Sequence, residues 1–234
     1  MVEAVAKAVV EAVARPTHEG DHADDSSARS PAPRPARRRG RPRSEEARVA
    51  VLAAAGALLD EGGLPLVTIE AVSARSGVGK PTIYRHWPNR LAVAIDALAA
   101  RMASEVPSAD LGDARSDLTE QVRRVAAFYA SPAGTVLTQM LAATTTDPAA
   151  AQQLRDRFLA GRWAQTEVMW QRAVDRGEVR ADITAEVAID VLFSPIIYRL
   201  LVRHAPIDPQ AAVAIADGVL GGLLAPVPPP DAAT

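Results

Sequence analysis

The chain has 234 residues, of which 48% are hydrophobic and 23% charged, and it contains no cysteine. This composition suits one small and one medium globular domain, and it excludes disulfides. No run of 18 apolar residues occurs, which argues against a membrane span, and charged residues interrupt the first fifteen positions, which argues against a signal peptide. We therefore expect a cytoplasmic protein.

The net charge of −2 hides an uneven distribution of charge. Residues 28–90 carry twelve Lys or Arg and five acids, a net charge of +7, whereas residues 1–27 and 91–234 are both net acidic. A basic segment within an acidic chain is typical of a protein that contacts nucleic acid at one end.

An arginine-rich stretch precedes the first long apolar pattern. The first fifteen residues suit a weak amphipathic helix, whereas from Arg15 to about Ser44 the chain has many Pro, Ser, Asp and Arg residues. We expect residues 1–43 to form an extension that is disordered in the absence of DNA. Residues 29–43 contain seven arginines and no acid, and their prolines predict an extended arm. The arm's Arg39-Gly40-Arg41-Pro42 core resembles an AT-hook, whose arginines lie in the minor groove of A·T-rich DNA.

Two roles fit this arm. In the first role, the arm places Arg39, Arg41 and Arg43 in a minor groove, as the arms of homeodomains place their arginines. In the second, the arm is a solvated basic linker whose arginines contact only phosphates. The position of the arm directly before the first helix favours the groove.

The first helix is expected from about Glu45 to Asp60, with Ser44 as its N-cap and Gly62-Gly63 as its stop. Its apolar spacing predicts one buried stripe, which consists of Ala47, Val51, Ala54, Leu58 and Leu59.

Two short helices with a glycine turn are predicted next. Thr68 is a good N-cap for the first, and Gly77 suits the left-handed conformation that ends it. Pro81 fits only the first turn of the second helix, which therefore starts near Gly79 or Lys80. Ile83 and Trp87, four residues apart, share its buried face, and this leaves an outward face of Lys80, Pro81, Thr82, Tyr84 and Arg85.

Residues 44–104 resemble the DNA-binding domain of the tetracycline-repressor (TetR) family of bacterial transcriptional regulators. The resemblance rests on the capped helix at Thr68, the Gly77-Val78 turn, and the run Lys80-Pro-Thr-Ile-Tyr-Arg-His-Trp87 followed by Asn89-Arg90. Ser73 departs from the pattern, because the family more often places alanine there, but serine is small enough for close helix contact.

The resemblance implies how DNA is read. Lys80, Pro81, Thr82 and Tyr84 would approach base edges and nearby phosphates, and Arg85 would face the groove. The residues that would hold the phosphate backbone are Thr68, His86 and Arg90. The reading helices of a dimer, about 34 Å apart, would meet successive major grooves of a pseudo-palindromic operator.

A second, wholly helical domain is predicted over residues 91–225, followed by a Pro-rich tail at 226–234. Its first helix is expected to be capped by Asn89 and to end at about Glu105. The resemblance implies that this helix couples ligand binding to the separation of the two DNA-reading helices of a dimer. Five more helices are expected, at roughly 115–130, 132–144, 148–176, 184–204 and 209–224. No strand pattern competes, so the class is all-α: an N-terminal three-helix helix-turn-helix domain at 44–90 and a C-terminal helical domain for ligand binding and dimerisation.

The last two helices are the predicted dimer contact. The candidate stripe on the first is Val191, Pro195, Ile196, Arg199, Leu200 and Arg203, and that on the second is Ala212, Ala216, Gly218, Val219, Gly221, Gly222 and Leu223. Small residues allow two backbones to approach closely, as a two-fold four-helix interface requires, but packing within one protomer is the alternative. Pro195 is expected to kink its helix.

The effector is expected to be an unknown small molecule, since the resemblance implies a ligand pocket. Seven of the nine aromatic residues fall in the second domain, and ordinary core packing explains any single one of them. Few charges lie on the apolar faces, which favours a hydrophobic or neutral ligand. The candidate lining residues are Phe128, Met140, Trp163, Trp170 and Phe193.

Two other function classes were weighed. An enzyme is not expected, because the sequence has no cysteine nucleophile and no phosphate-binding loop, and no cofactor is implied. His18 and His22 lie in the N-terminal extension without further ligands, so no metal site is expected. A nucleoid-type architectural protein would bind A·T-rich DNA through the arm alone. We therefore expect a dimeric sequence-specific transcriptional regulator. The resemblance implies a repressor, and an activator is the alternative.

Overall fold

The computed structural model describes residues 41–223, and within them it contains helices and no strand. This confirms the all-α class. The helices, renumbered here in chain order, are α1 (Arg41–Gly62), α2 (Ile69–Ser76), α3 (Lys80–His86), α4 (Arg90–Glu105), α5 (Ala114–Ala130), α6 (Pro132–Thr144), α7 (Pro148–Leu154), α8 (Ala160–Asp175), α9 (Ala185–Val202) and α10 (Pro209–Leu223).

Helix α1 begins earlier than the sequence suggests. It starts at Arg41, so Ser44 lies inside the helix, and the predictions of a Ser44 cap and of an extended arm through Arg43 are wrong. Pro42 occupies the first turn, where its missing N–H has no partner to lose and its fixed φ suits a helix. The predicted arm residue Arg39 lies outside the described residues, as do residues 1–38 of the predicted extension and the predicted Pro-rich tail.

Helix α1 ends at Gly62, and Gly63 follows with a φ of +73°. Its apolar stripe is buried as predicted at Val51, Ala54, Leu58 and Leu59. The stripe packs against α2 and α4, and a short 3-10 turn (Leu64–Leu66) leads to α2. These three helices thus form the base on which α3 is presented.

Helix α4 belongs to both halves of the molecule. The Asn89 side chain accepts a hydrogen bond from Ala92 N and caps it, as predicted. One face packs against α1, and other contacts reach α6, α7 and the segment Arg155–Leu159. Its apolar residues are buried along most of its length, so a displacement of α4 must change the packing in both halves of the molecule.

Side-chain caps and prolines mark the starts of several helices in the C-terminal half. Ser131, Asp147 and Thr184 each accept a backbone N–H at the start of α6, α7 and α9. Pro132, Pro148 and Pro209 are the first residues of α6, α7 and α10, where proline costs no hydrogen bond.

One predicted helix is interrupted. The stretch 148–176 forms α7 and α8 joined by a π-helical turn, called here the π segment (Arg155–Leu159). Such a turn inserts one residue into an α-helix and is frequent at functional sites. It leaves Leu154 and Phe158 buried on one side, and Gly177, with a φ of +69°, follows the end of α8.

Candidate DNA interface and effector cavity

The helix-turn-helix is fastened by side chains of α2. Thr68 Oγ1 accepts from Ala71 N at 3.0 Å, which confirms the predicted N-cap. Gly77 has a φ of +69° and its N–H reaches Ser73 O, which confirms the left-handed end of α2. Ser73 Oγ donates to Val78 O at 2.8 Å, across the turn. The serine that departs from the family pattern therefore bonds the turn to α2.

Helix α3 presents the predicted outward face. Ile83 and Trp87 are buried, with 0% and 2% of their surface exposed. Around them, Lys80, Pro81, Arg85 and His86 are exposed, Tyr84 is 53% exposed and Thr82 is half-buried. Of the five residues expected to face the groove, four are thus exposed and Thr82 is half-buried.

Two exposed ion pairs lie beside this surface. Lys80 Nζ lies 2.6 Å from Glu70 Oε1, and Arg75 Nη2 lies 2.6 Å from Glu61 Oε1. Hydrogen bonds from these cations lower the pKa of both carboxyls. Salt screens exposed pairs strongly, so Lys80 can exchange Glu70 for a DNA phosphate at little cost.

The residues expected to hold phosphates flank α3. His86 is exposed and its ring lies 5.6 Å from that of Trp87 at a tilted angle. Arg90 is exposed, and its Nη1 donates to Leu64 O at 3.3 Å. This bond leaves the remaining guanidinium donors of Arg90 able to face solvent or phosphate.

A carboxylate on α4 joins the end of the reading helix to the C-terminal half. Trp87 Nε1 donates to Asp96 Oδ2 at 2.7 Å, and Arg157 Nη1 of the π segment donates to the same oxygen at 2.9 Å. All three side chains are at least partly buried, so these bonds are less exposed to water than a surface pair. Trp87 and Arg157 are thereby linked through one atom.

A second bridge joins the two halves near the end of α1. Leu64 N donates to Gln139 Oε1 of α6 at 2.8 Å. Arg101 of α4 pairs with Asp60 at the end of α1, and its guanidinium lies 6.0 Å from the ring centre of Phe128 on α5. The end of α1 and the turn after it are therefore bonded to α4 and α6, and α4 in turn contacts α5.

A small cavity of about 70 Å³ lies between α4, α5, α8 and α9. Its wall is apolar except for Arg162, Thr166 and the hydroxyl of Tyr129. Burial raises the pKa of Tyr129 to about 12. The apolar lining consists of Met102, Val125, Trp163, Ile189, Phe193 and Ile197.

The five residues expected to line a pocket separate into two groups. Trp163 and Phe193 line the cavity, and Trp163 is 44% exposed at its rim. Phe128, Met140 and Trp170 are buried but are not in its wall. Arg162 also lines the cavity, although nothing in the sequence separates it from the many other arginines of the chain.

The predicted dimer stripes are partly buried within the protomer. Ile196, Leu200, Ala212, Ala216 and Leu223 have 9% or less of their surface exposed and belong to the core. The apolar residues that do face outward on α9 are Val187, Val191, Tyr198, Leu201 and Val202. On α10, Gly218, Gly221 and Gly222 are exposed, and a methyl group added to any of them would meet nothing within 4 Å. We call these eight residues the α9–α10 face.

Metal and membrane sites were also sought in residues 41–223. There, no group of three or more His, Asp or Glu residues is placed to hold a metal ion. None of the described helices is long and apolar enough to cross a membrane. His18 and His22 lie outside these residues.

Two family models match the chain. The model of bacterial regulatory proteins of the tetR family matches residues 51–97, which include α2 and α3. The model of the tetracyclin repressor-like C-terminal domain matches residues 108–219, from before α5 into α10. The matches thus cover both the reading helices and the helices around the cavity.

Individual relatives agree with this assignment. The HTH-type transcriptional regulator YdeS of Bacillus subtilis (strain 168) is 35% identical over 161 residues, which cover 69% of this chain and 81% of YdeS. The DNA-binding transcriptional repressor TetR of Mycobacteroides abscessus is 27% identical over 187 residues, covering 79% and 97%. The crystal structure of the TetR family transcription regulator SCO0332 superposes with a TM-score of 0.71 at 32% identity, covering 79% of this chain and all of that one.

Proposed function

The chain belongs to the tetR family of bacterial regulatory proteins and is a DNA-binding transcriptional regulator, and from this premise we propose that it acts as a ligand-released homodimeric repressor. Each protomer inserts α3 into a major groove of a pseudo-palindromic operator. A small molecule bound among α4, α5, α8 and α9 shifts α4 and separates the two reading helices. The observation that carries the proposal is that α3 has an exposed face and that α4, the helix after it, also lines the cavity.

The chemistry of α3 supports reading in the major groove. The Pro81 ring and the Thr82 methyl group suit contacts with thymine methyls, and the guanidinium of Arg85 suits guanine. Thr68, His86 and Arg90 lie beside α3, where phosphate contacts fix its register. Sequence preference is thus assigned to α3, and general DNA affinity to its neighbours.

The α9–α10 face supports the proposed homodimer. Its five apolar side chains on α9 are each between 39% and 58% exposed in the protomer. The three open glycines on α10 allow the backbone of a second copy to come close. A face of this kind, repeated by two-fold symmetry, buries apolar surface on both partners at once.

The bonds around Asp96 support coupling between cavity and DNA. Met102, on the last turn of α4, lines the cavity, and Asp96, midway along α4, holds Trp87 at the end of α3. A ligand that moves the end of α4 therefore acts on the same helix that positions α3. This is a physical connection with two anchors rather than proximity alone.

Selection of bound sequences from a random DNA pool tests the proposal. We expect the full chain to enrich a pseudo-palindrome whose half-sites lie about one helical turn apart. Failure to enrich any motif would instead favour the architectural alternative. A matched chain with Gln in place of Arg37, Arg38 and Arg39 tests the arm: loss of A·T-rich flanks with the palindrome retained assigns the flanks to these arginines.

A further inference from the structure

The wall of the cavity contains the partly buried guanidinium of Arg162, which has no carboxylate partner among the described residues. Arg162 Nη1 donates to Gln165 Oε1 at 2.7 Å and to Val106 O at 3.4 Å. Its Nε and Nη2 make no hydrogen bond to the residues that the structure describes. By contrast, Arg157, five positions earlier, is paired with Asp96.

The charge of Arg162, only partly exposed to water, is therefore not balanced by any carboxylate of the described residues. Burial lowers its pKa, yet an arginine remains protonated in proteins, so the cost of removing the charge from water persists. A buried charge is tolerated when it is paired, and the described neighbours of Arg162 offer only neutral oxygens. An anion brought by a ligand would supply the missing partner.

The surrounding groups favour an amphipathic molecule. Among the described residues, the hydrogen-bond partner of Tyr129 Oη is a methionine sulfur, Met102 Sδ at 3.8 Å, so its O–H can still donate to a stronger acceptor. Thr166 already donates its hydroxyl to Arg162 O at 3.1 Å. The rest of the wall is apolar and includes Trp163, Ile189, Phe193 and Ile197.

We propose that the cavity binds the anionic group of an amphipathic carboxylic acid, with the carboxylate on Arg162 and Tyr129 and the hydrocarbon body against Trp163 and Phe193. The planar fork of a guanidinium matches the two oxygens of a carboxylate. The inference rests on the proposed function, because it names the chemical class of effector for the same site.

The size of the cavity fits this division of the ligand. A volume of about 70 Å³ accommodates the head of the molecule, whereas pockets for whole effectors measure roughly 300–1,000 Å³. The body must therefore separate the side chains at the rim. Trp163 is 44% exposed there and is the residue placed to move.

Binding at Arg162 acts directly on α4. Val106 is the residue that ends α4, and its carbonyl accepts the long 3.4 Å bond from Arg162. A carboxylate competes for the same guanidinium and offers a stronger, charge-assisted bond. The ligand thus withdraws Arg162 from the end of the helix that also carries Asp96.

Calorimetric titration of the full chain with octanoate and 4-phenylbutyrate, each compared with its primary amide, tests the inference. The amides match the acids in shape and lack the charge. We expect the acids to bind about ten- to a hundredfold more tightly, as charge-assisted hydrogen bonds imply. Arg162→Gln should abolish this preference, whereas Arg155→Gln, an exposed arginine of the π segment, should retain it.

Three results would overturn the inference: equal affinity for acid and amide, an intact preference in Arg162→Gln, or no binding of either acid. Circular dichroism checks that Arg162→Gln is folded. Two further variants make the result independent of that one: Arg162→Lys should keep part of the preference, and Tyr129→Phe should weaken the acids more than the amides.

Operator affinity measured in the same samples separates this inference from the proposed function. If the acids bind through Arg162 without changing operator affinity, the anion site stands and ligand release fails. If operator binding is intact and neither acid binds, the anion site fails and the DNA-binding role stands.

Discussion

Ser73 bonds the turn of the helix-turn-helix to α2. Its hydroxyl donates to the half-buried Val78 carbonyl at 2.8 Å, a partner that alanine, the residue more usual in the family, cannot supply. We expect Ser73→Ala to lower the free energy of unfolding by about 1 kcal/mol, because one intramolecular hydrogen bond is lost. Urea denaturation measures the change, with the exposed Ser104→Ala as control. Equal stabilities of the two variants would contradict this role.

Substitutions of residues that contact bases and of residues that contact phosphates should differ in how strongly their effect on binding depends on the DNA sequence. Thr82→Ala and Arg85→Ala are each expected to cost roughly 1–3 kcal/mol at particular base pairs, because they remove contacts to base edges. Arg90→Ala should weaken operator and random duplex alike. Fluorescence anisotropy with both duplexes measures this. Equal losses on both duplexes for all three variants would refute a specific reading role for α3.

Local chemistry explains which residues were predictable. Thr68, Gly77 and Asn89 were assigned correctly because a cap or a left-handed turn is decided by residues three or four positions away. Asp96 and Arg157 are 61 positions apart, and no local pattern marks their bond. Arg162 was missed for the same reason, since its isolation from carboxylates appears only when α4, α5 and α8 are packed together.

At the scale of the elements, α4 carries the connection between α3 and the π segment. Trp87 and Arg157 both donate to Asp96 Oδ2, so their contributions should not be independent. We expect Trp87→Phe and Arg157→Gln to show a coupling of about 0.5–2 kcal/mol in a double-mutant cycle. Urea denaturation measures the stability cycle, and operator binding a second cycle.

The control cycle combines Trp87→Phe with Arg155→Gln instead of Arg157→Gln. Arg155 is exposed and donates a hydrogen bond to Gln152. This second cycle should be additive. Additivity in both cycles would mean that Asp96 holds the two residues without coupling them.

Glu120 gives α5 a defined response to acid. Hydrogen bonds from Arg123, together with Arg124, hold the pKa of Glu120 at about 2, below its ordinary value of 4.5. A lowered pKa stabilises the fold above pH 4.5, and the contribution is lost as the pH falls toward 2. Solvent screening reduces it to about 1 kcal/mol. Glu120→Gln should lose this amount at pH 7 and nothing at pH 2, as measured by thermal unfolding across that range.

The π segment shows a limit of periodicity at the element scale. Leu154 and Phe158 keep helical spacing and are both buried, so the sequence pattern predicts one continuous helix. One extra residue in a turn scarcely alters the order of apolar and polar residues, but it changes the direction of every following side chain. The predicted range of the long helix was therefore close, whereas the placement of Arg157 was not readable.

At the scale of the whole molecule, the open glycines of α10 allow a clean test of the dimer. A Cβ added at Gly218 meets nothing within 4 Å inside the protomer, and leucine improves helix propensity, so the Gly218→Leu protomer should remain folded. In a two-fold interface both copies carry the added side chain, and overpacking should cost about 2–6 kcal/mol of dimer stability. Light scattering and operator binding measure the loss.

Gly161→Leu is the matched control, since Gly161 is also helical, exposed and without atoms within 4 Å of an added Cβ, but lies on α8. A Gly218→Leu protein that remains dimeric would place the interface elsewhere. The sequence drew attention to α9 and α10 through their small residues, but it could not separate the side that packs on α5 and α6 from the side left outward.

In the proposed function, the small volume of the cavity makes the response to an effector depend on the fraction of molecules in which the cavity is open. A form open enough for a whole ligand must be in equilibrium with the closed form of about 70 Å³. If the open form were about one molecule in a hundred, the apparent affinity would be about a hundredfold weaker than the intrinsic one. Substitutions that loosen the rim at Trp163 would then sharpen sensitivity without adding any contact to the ligand. Under the proposed function, the concentration at which the regulator responds would thus be set partly by a tryptophan side chain that the ligand must displace.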